Sequence, residues 1–264
     1  MIKNFLITGD CHGRVIERLA DISPDYIPAE TALVILGDAG INFYLNKTDE
    51  KLKKAIEDSG YIVYCVRGNH EERPENLPVV SYWYDSDVAS FVIIEDKYPN
   101  IRYLQDGHVY TMNGNNALVL GGAYSVDKWH RLRRFGIFFE EDPDYTNSKK
   151  TGWFPEEQLY DWEMEDFEKY HFDKEYDIIL SHTCPRAYEP IDLFLPGLDQ
   201  SKIDKTMEDW LDKVKIKVKH KLWLFGHFHA DRVIKPGVEM FYRGIKNLND
   251  IISEHEVLKN EIIG

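Results

Sequence analysis

The chain has 264 residues, 43% of them hydrophobic, and a formal net charge of −14 from 32 basic and 46 acidic side chains. That length and apolar content suffice for one enzyme-sized core, and the acidic balance argues against a protein that tracks along extended nucleic acid. Three scattered cysteines form no disulfide framework, which points to a reducing cytoplasm, and no apolar run approaches the roughly twenty residues that span a bilayer.

Met1 to Ile7 runs directly into the first polar cluster, so no signal peptide is expected. Phe5 to Thr8 reads as a short buried strand leading to Asp10-Cys11-His12-Gly13. Ala32 to Leu36 is a second, ending at Gly37-Asp38. Leu52 to Ile56 and its charged neighbours read as a helix, followed by a third strand, Tyr61 to Val66, before Gly68-Asn69-His70-Glu71. From Val88 to Leu120 this βαβ rhythm gives way to short strands and turns, with Asp106-Gly107 and Asn113-Gly114 as hairpin signals. The last of these strands, Ala117 to Leu120, leads to Gly121-Gly122-Ala123-Tyr124.

Trp129 to Trp153 mixes arginines, aromatics and acidic residues as long functional loops do, so a lid or insertion is expected over 127–155. Pro155 to Tyr170 reads as a helix opened by proline, with Leu159, Trp162 and Phe167 as packing positions. Ile178 to Leu180 is a strand ending at Ser181-His182, and Tyr188 to Lys205 reads as a loop bordering the site. Lys213 to Lys221 reads as the end of a helix running into an edge or connecting segment, and the strand Leu222 to Phe225 leads to Gly226-His227-Phe228-His229. No repeat or long linker divides the chain, so one α/β domain over residues 1–264 is expected.

Ligands of open α/β sheets gather beyond the carboxyl ends of strands, so these clusters can converge in one crevice. What converges is Asp10, Asp38, Asn69, His12, His70, His182, His227 and His229. Imidazole, carboxylate and amide oxygen together suit dications such as Mn, Fe, Zn or Co. Eight groups exceed what one ion needs, and a carboxylate can bridge two ions about 3.5–4 Å apart, as in two-metal hydrolases. The chemistry indicated is hydrolysis at phosphorus. Cys11, Cys65 and Cys184 read as packing residues, and His108, His171 and His220 stand apart from the clusters.

The ordered series Asp-x-His-Gly, Gly-Asp, Gly-Asn-His-Glu, a lone His and Gly-His-x-His resembles the calcineurin-like metallophosphoesterase family over most of the chain. Gly121 to Arg131, with Trp153-Phe154-Pro155-Glu156, resembles a bacterial and phage branch of it. The resemblance implies a four-layer α/β/β/α sandwich of two mixed sheets. It also implies two divalent ions, Mn first, with Fe, Zn and Co as alternatives. Asp10, His12, Asp38 and His229 would hold one ion, and Asp38 would bridge to a second held with Asn69, His182 and His227. Asn69 would also face the substrate, a hydroxide between the ions would attack phosphorus, and His70 would assist the leaving oxygen.

The protein-phosphatase branch places a supporting Asp and an Arg after Gly-Asp, where this chain has Ile41 and no Arg. Asp127 is expected to orient His70 or hold Arg131, and Arg131 to grip phosphate bidentately. A plain surface salt-bridge cluster is the alternative for that group. The expected activity is hydrolysis of small or terminal phosphate mono- or diesters, without a membrane. The alternatives are a nuclease acting on nucleic-acid ends and a non-catalytic scaffold of the same fold.

Overall fold

The computed structural model describes residues 1–263 except Leu195 and Leu198. In chain order, β1 (Asn4–Thr8), α1 (Val15–Ala20), β2 (Thr31–Leu36), α2 (Lys47–Ser59) and β3 (Ile62–Val66) form two βαβ units. β4 (Ser81–Asp85), β5 (Ser90–Ile94), β6 (Ile101–Tyr103), β7 (Val109–Met112) and β8 (Asn115–Leu120) follow as short strands. Next come α3 (Lys128–Arg133), α4 (Ser148–Thr151), α5 (Asp161–His171), β9 (Glu175–Ser181), α6 (Thr206–Lys217) and β10 (Lys219–Phe225). The chain closes with β11 (Arg232–Lys235), β12 (Val238–Met240), β13 (Lys246–Asn247) and α7 (Leu248–Ile263).

The strands make two mixed sheets, ordered β13-β1-β2-β3-β6-β5-β4 and β11-β12-β10-β9-β8-β7. β1, β2, β3 and β6 are parallel in the first, and β8, β9, β10 and β12 in the second, with antiparallel pairings outside them. All six residues of β2 are buried, as expected where a parallel strand is covered on both faces. Phe5, Val34 and Tyr64 meet Val119, Leu180 and Leu224 between the sheets. Val15, Leu19 and Ile56 pack α1 and α2 on the outside of the first sheet, and Phe167, Trp210 and Val214 pack α5 and α6 on the outside of the second. The expected α/β/β/α layering is therefore present.

Four local expectations change. Asp106-Gly107 is no hairpin, because β6 and β7 belong to different sheets and the dipeptide carries the chain across. The Asp106 carboxylate holds Arg67 Nε at 2.8 Å there. Asn113-Gly114 does turn β7 back into β8, with φ of 49° and 78°. The helix expected from Pro155 starts at Asp161, because the preceding carbonyls are already engaged. Arg73 donates to those of Glu156 and Gln158, and Arg67 to that of Glu157. The Glu163 carboxylate then accepts the Tyr160 N–H at 2.7 Å and caps the late start. Trp162 is 62% exposed rather than packed, while Leu159, Met164 and Phe167 are buried. Finally, Lys213 to Lys221 leads into β10, an interior strand between β12 and β9, because the Val218 to Phe225 run ends in an apolar stretch covered on both faces.

Residues 127–155 carry α3 and α4 and a small core of their own, Leu132, Ile137 and Trp153, with Trp129 and Tyr145 against it. Phe135, Phe138 and Phe139 of this segment are exposed. The loop expected over Tyr188–Lys205 contains short 3-10 turns, and its Leu195 and Leu198 lie outside the described residues.

Candidate metal centre

The polar clusters follow β1, β2, β3, β8, β9 and β10, and backbone hydrogen bonds bind the turns to one another. Cys11 N–H donates to the Asp38 carbonyl at 3.0 Å, Gly122 N–H to that of Arg67 at 2.8 Å, and Gly226 N–H to that of His182 at 2.9 Å. Gly37 has φ +88°, and a Cβ there would overlap the His182 ring; one at Gly68 would overlap Asp38 Oδ1. His12, Asp38, His227 and His229 have φ between 46° and 68°, a region costly for non-glycine residues. Such strain concentrates where function requires a fixed geometry.

Two groups of side chains place donor atoms within 4.8 Å of one another: Asp10, His12 and His229, and Asp10, Asp38 and His182. In the first, His12 Nε2 and His229 Nε2 face each other at 2.9 Å, with Asp10 Oδ2 at 3.1 Å from His229 and 3.6 Å from His12. In the second, His182 Nε2 is 3.7 Å from Asp38 Oδ1 and 2.8 Å from Asn69 Oδ1. His182 Nδ1 donates to the Leu36 carbonyl at 2.8 Å, which makes Nε2 the ring nitrogen turned toward those oxygens. Asn69 Nδ2 donates to Ser125 Oγ at 2.8 Å, so Oδ1 is the atom turned toward His182. A nitrogen facing two oxygens needs a proton or a metal cation among them. Asp38 Oδ2, buried and without a hydrogen-bond partner among the described residues, is a further acceptor available to it. The donor set therefore fits divalent ions.

The protonation states agree with ligation. Burial raises the cost of charge on Asp38, but His182, His70 and His12 outweigh it and hold its carboxyl below the usual range. Asp10 is lowered likewise, with burial opposed by the His229 hydrogen bond and by His182. Burial, reinforced by His182, pushes the His227 imidazole down to about 3, so it stays neutral. His227 also donates its backbone N–H to Asp10 Oδ1, and His70 its backbone N–H to Asp38 Oδ1, both at 2.8 Å. Those donors fix both carboxylates.

His70 borders the same cleft, and burial lowers the pKa of its ring. Its Nδ1 and the Asp127 Oδ1 are both buried without partners among the described residues. Asp127 Oδ2 accepts from Arg131 Nε at 2.7 Å, and Arg131 Nη1 donates to the Gly152 carbonyl at 2.8 Å. Arg131 Nη2 has no hydrogen-bond partner among the described residues. Arg67, beside the Gly68 cluster, is fully engaged in tying together Asp106, Gly121 and Glu157.

Sequence reasoning missed a set of residues behind the candidate ligands. Ser125 holds the Asn69 amide, its N–H donates to Glu157 Oε1 at 3.1 Å, and Glu157 Oε2 accepts from Trp153 Nε1 at 2.9 Å. Glu71 accepts from Gly68 N–H at 3.0 Å and Gly40 N–H at 3.3 Å, joining two strand-end turns. Arg18 donates to the carbonyls of Asp10 and Tyr242. Only Glu71 carries a sequence signal, as the last residue of Gly-Asn-His-Glu. Each of the others gains meaning from at least one long-range contact, from 32 positions apart for Ser125 and Glu157 to 224 for Arg18 and Tyr242. Cys11 packs with the first outer core, and burial pushes its thiol up to about 12.

The profile of the calcineurin-like phosphoesterase family matches residues 3–231. No curated protein matches the chain significantly. One solved crystal structure is 12% identical, with alignment over 95% of this chain and 96% of that one and a TM-score of 0.49. The phosphopantetheinyl hydrolase PptH of Mycobacterium tuberculosis is 14% identical, over 91% and 90%, with a TM-score of 0.44. The family match spans most of the sequence and every cluster described above, and this chain belongs to the calcineurin-like phosphoesterase family.

Proposed function

We propose that this chain hydrolyses phosphate mono- or diesters with two divalent ions, Mn first, in the cradle of Asp10, His12, Asp38, Asn69, His182, His227 and His229. The observation that carries this reading is His182 Nε2 turned toward Asn69 Oδ1 and Asp38 Oδ1, beside two imidazole nitrogens 2.9 Å apart at His12 and His229. Asp10, His12, Asp38 and His229 form one ligand set, with Asp38 shared by the set of Asn69, His182 and His227. Two such ions would activate a water for attack and offset the charge gathering on the phosphoryl oxygens.

The protein's own groups supply the rest. His70 donates a proton to the departing oxygen, and Asp127 steadies it in place of the family's supporting Asp. Arg131 fixes Asp127 through Nε and has Nη2 left for a phosphate oxygen, with Asn69 alongside. The chain works as one domain in which residues 127–155 cover the site, anchored by the Trp153 cluster. Three free, buried cysteines suit a reducing cytoplasm, and among the described residues no helix is long and apolar enough to cross a membrane.

The test is hydrolysis of a chromogenic phosphate monoester and its matching diester by chelator-stripped protein, before and after Mn is added. Turnover restored by Mn is expected. Turnover untouched by stripping, or stripped protein that binds no metal, would overturn the reading.

A further inference from the structure

A cavity of 440 Å³, inside the roughly 300–1,000 Å³ of small-molecule sites, takes in the candidate metal centre at Asp38, Asn69, His227 and His229 and runs outward past His70. Its outer wall is aromatic. The Phe194 and Phe228 rings are inclined by only 17° with centroids 6.3 Å apart, and the Tyr124 ring lines the same cavity. Lys205, also of this wall, is held by Glu189 at 2.6 Å and lies 5.0 Å over the Phe194 ring.

A second, independent feature is polar. Glu208, only 3% exposed, lines the cavity, and its Oε1 accepts from Thr183 Oγ1 at 2.9 Å. Its Oε2 is buried with no hydrogen-bond partner among the described residues. A buried acceptor left unmet is unfavourable, so a ligand whose donor meets it as the carboxylate turns into the cavity gains a hydrogen bond. An aliphatic alcohol would bring no ring to the aromatic wall. A simple sugar could reach Glu208 through a hydroxyl but brings only a C–H face, with no π system, to the aromatic wall. A flat ring with N–H groups on its edge answers both features.

We propose that the group esterified to phosphate is a nucleoside carrying an amino-bearing base. Its ring lies against Phe194 and Phe228, its N–H edge donates to Glu208 Oε2, and its phosphate points back toward Asp38 and His70. Base–aromatic stacking raises affinity by about 5- to 150-fold, enough to dominate selection among small esters. This inference rests on the phosphoesterase reading for the position of the phosphate, but the base site can be tested without turnover.

Guanosine and ribose, neither of which has an ester to hydrolyse, are titrated by calorimetry into Mn-supplemented protein. Guanosine is expected to bind at least about tenfold more tightly than ribose. F194A should bring the two toward equality. E208Q should also weaken guanosine, because the glutamine oxygen stays on Thr183 and its NH₂ then faces the ring's donors. Equal binding of guanosine and ribose by the wild-type protein would overturn the proposal, whatever the variants do. A guanosine preference in a protein that hydrolyses no ester would sink the phosphoesterase reading and leave the base site standing. Hydrolysis of esters with equal guanosine and ribose binding would do the reverse.

Discussion

At the strand ends, His182 is fully buried, Asp38 and Asp10 are each fixed by a backbone N–H, and glycines leave room where a Cβ would collide. At the outer wall of the same cleft, Leu193 and Val126 are 38% and 44% exposed, and contacts run between side chains on excursions from the sheets. The first region is the more constrained: Asp10, Asp38, Asn69 and His182 are each held from at least two directions, as metal geometry requires. The second has few such constraints, so its residues can change without disturbing the cradle. A fold divided this way can keep one chemistry while its substrate varies.

Experiments on each side of that division would test it, and the largest effect belongs to the centre of the cradle. Asp38→Asn removes the carboxylate proposed to serve both ligand sets; turnover should fall to background with metal content falling alongside it. Retention of both ions and full activity would break the ligand assignment. His70→Ala should cut turnover by about 10² to 10⁴ while metal content holds, since a proton donor is lost and not a ligand. Unchanged turnover would remove His70 from the reaction.

Glu157 lies behind the boundary between the regions, and burial pushes its carboxyl up to about 7 from 4.5. The folded chain then holds a proton there that the unfolded chain has released, so stability is lost as pH rises from about 4.5 to 7, by about 3 kcal/mol for this group. E157Q should remove that part of the loss, measured as urea midpoints at pH 5 and pH 8. Glu71, raised to about 7 by burial, should leave a remaining slope of the same sign. An unaltered difference between the two pH values in E157Q would show that Glu157 titrates normally.

Ser125→Ala frees the Asn69 amide, and metal affinity should weaken about 10- to 100-fold, the usual cost of losing a group that orients a ligand. Unchanged affinity would mean that Asn69 needs no such support. The smallest effect is expected at Arg131, on the outer side. R131A should raise KM about tenfold, as loss of one charge-assisted contact does, with metal content constant. A fall in metal content instead would move Arg131 across the division.

Much of the cradle was legible in the sequence, because each cluster sits where an apolar run stops and a turn must begin. Asp10, Asp38 and the Gly226 cluster could be located that way before any coordinates. Ser125, Glu157 and Arg18 could not, because each acts on a partner far away in sequence and none lies in a repeated spacing. Trp162 misled for a related reason. Its place in an amphipathic pattern counted a helix from Pro155, but the carbonyls of residues 156 to 158 were claimed by Arg67 and Arg73 from another strand end.

The sequence by itself determined the alternation of strands and polar turns, the types of side chain at each turn, and membership of a metal-binding phosphoesterase family, because these rest on local periodicity and short spacings. Tertiary structure decided how two sheets bring turns more than two hundred residues apart within hydrogen-bonding reach, as His229 and Asp10 are at 3.1 Å. It also decided which arginines are consumed by carbonyls and which buried oxygens have no partner. Those outcomes depend on long-range packing and competition among many possible partners, which no window along the chain contains.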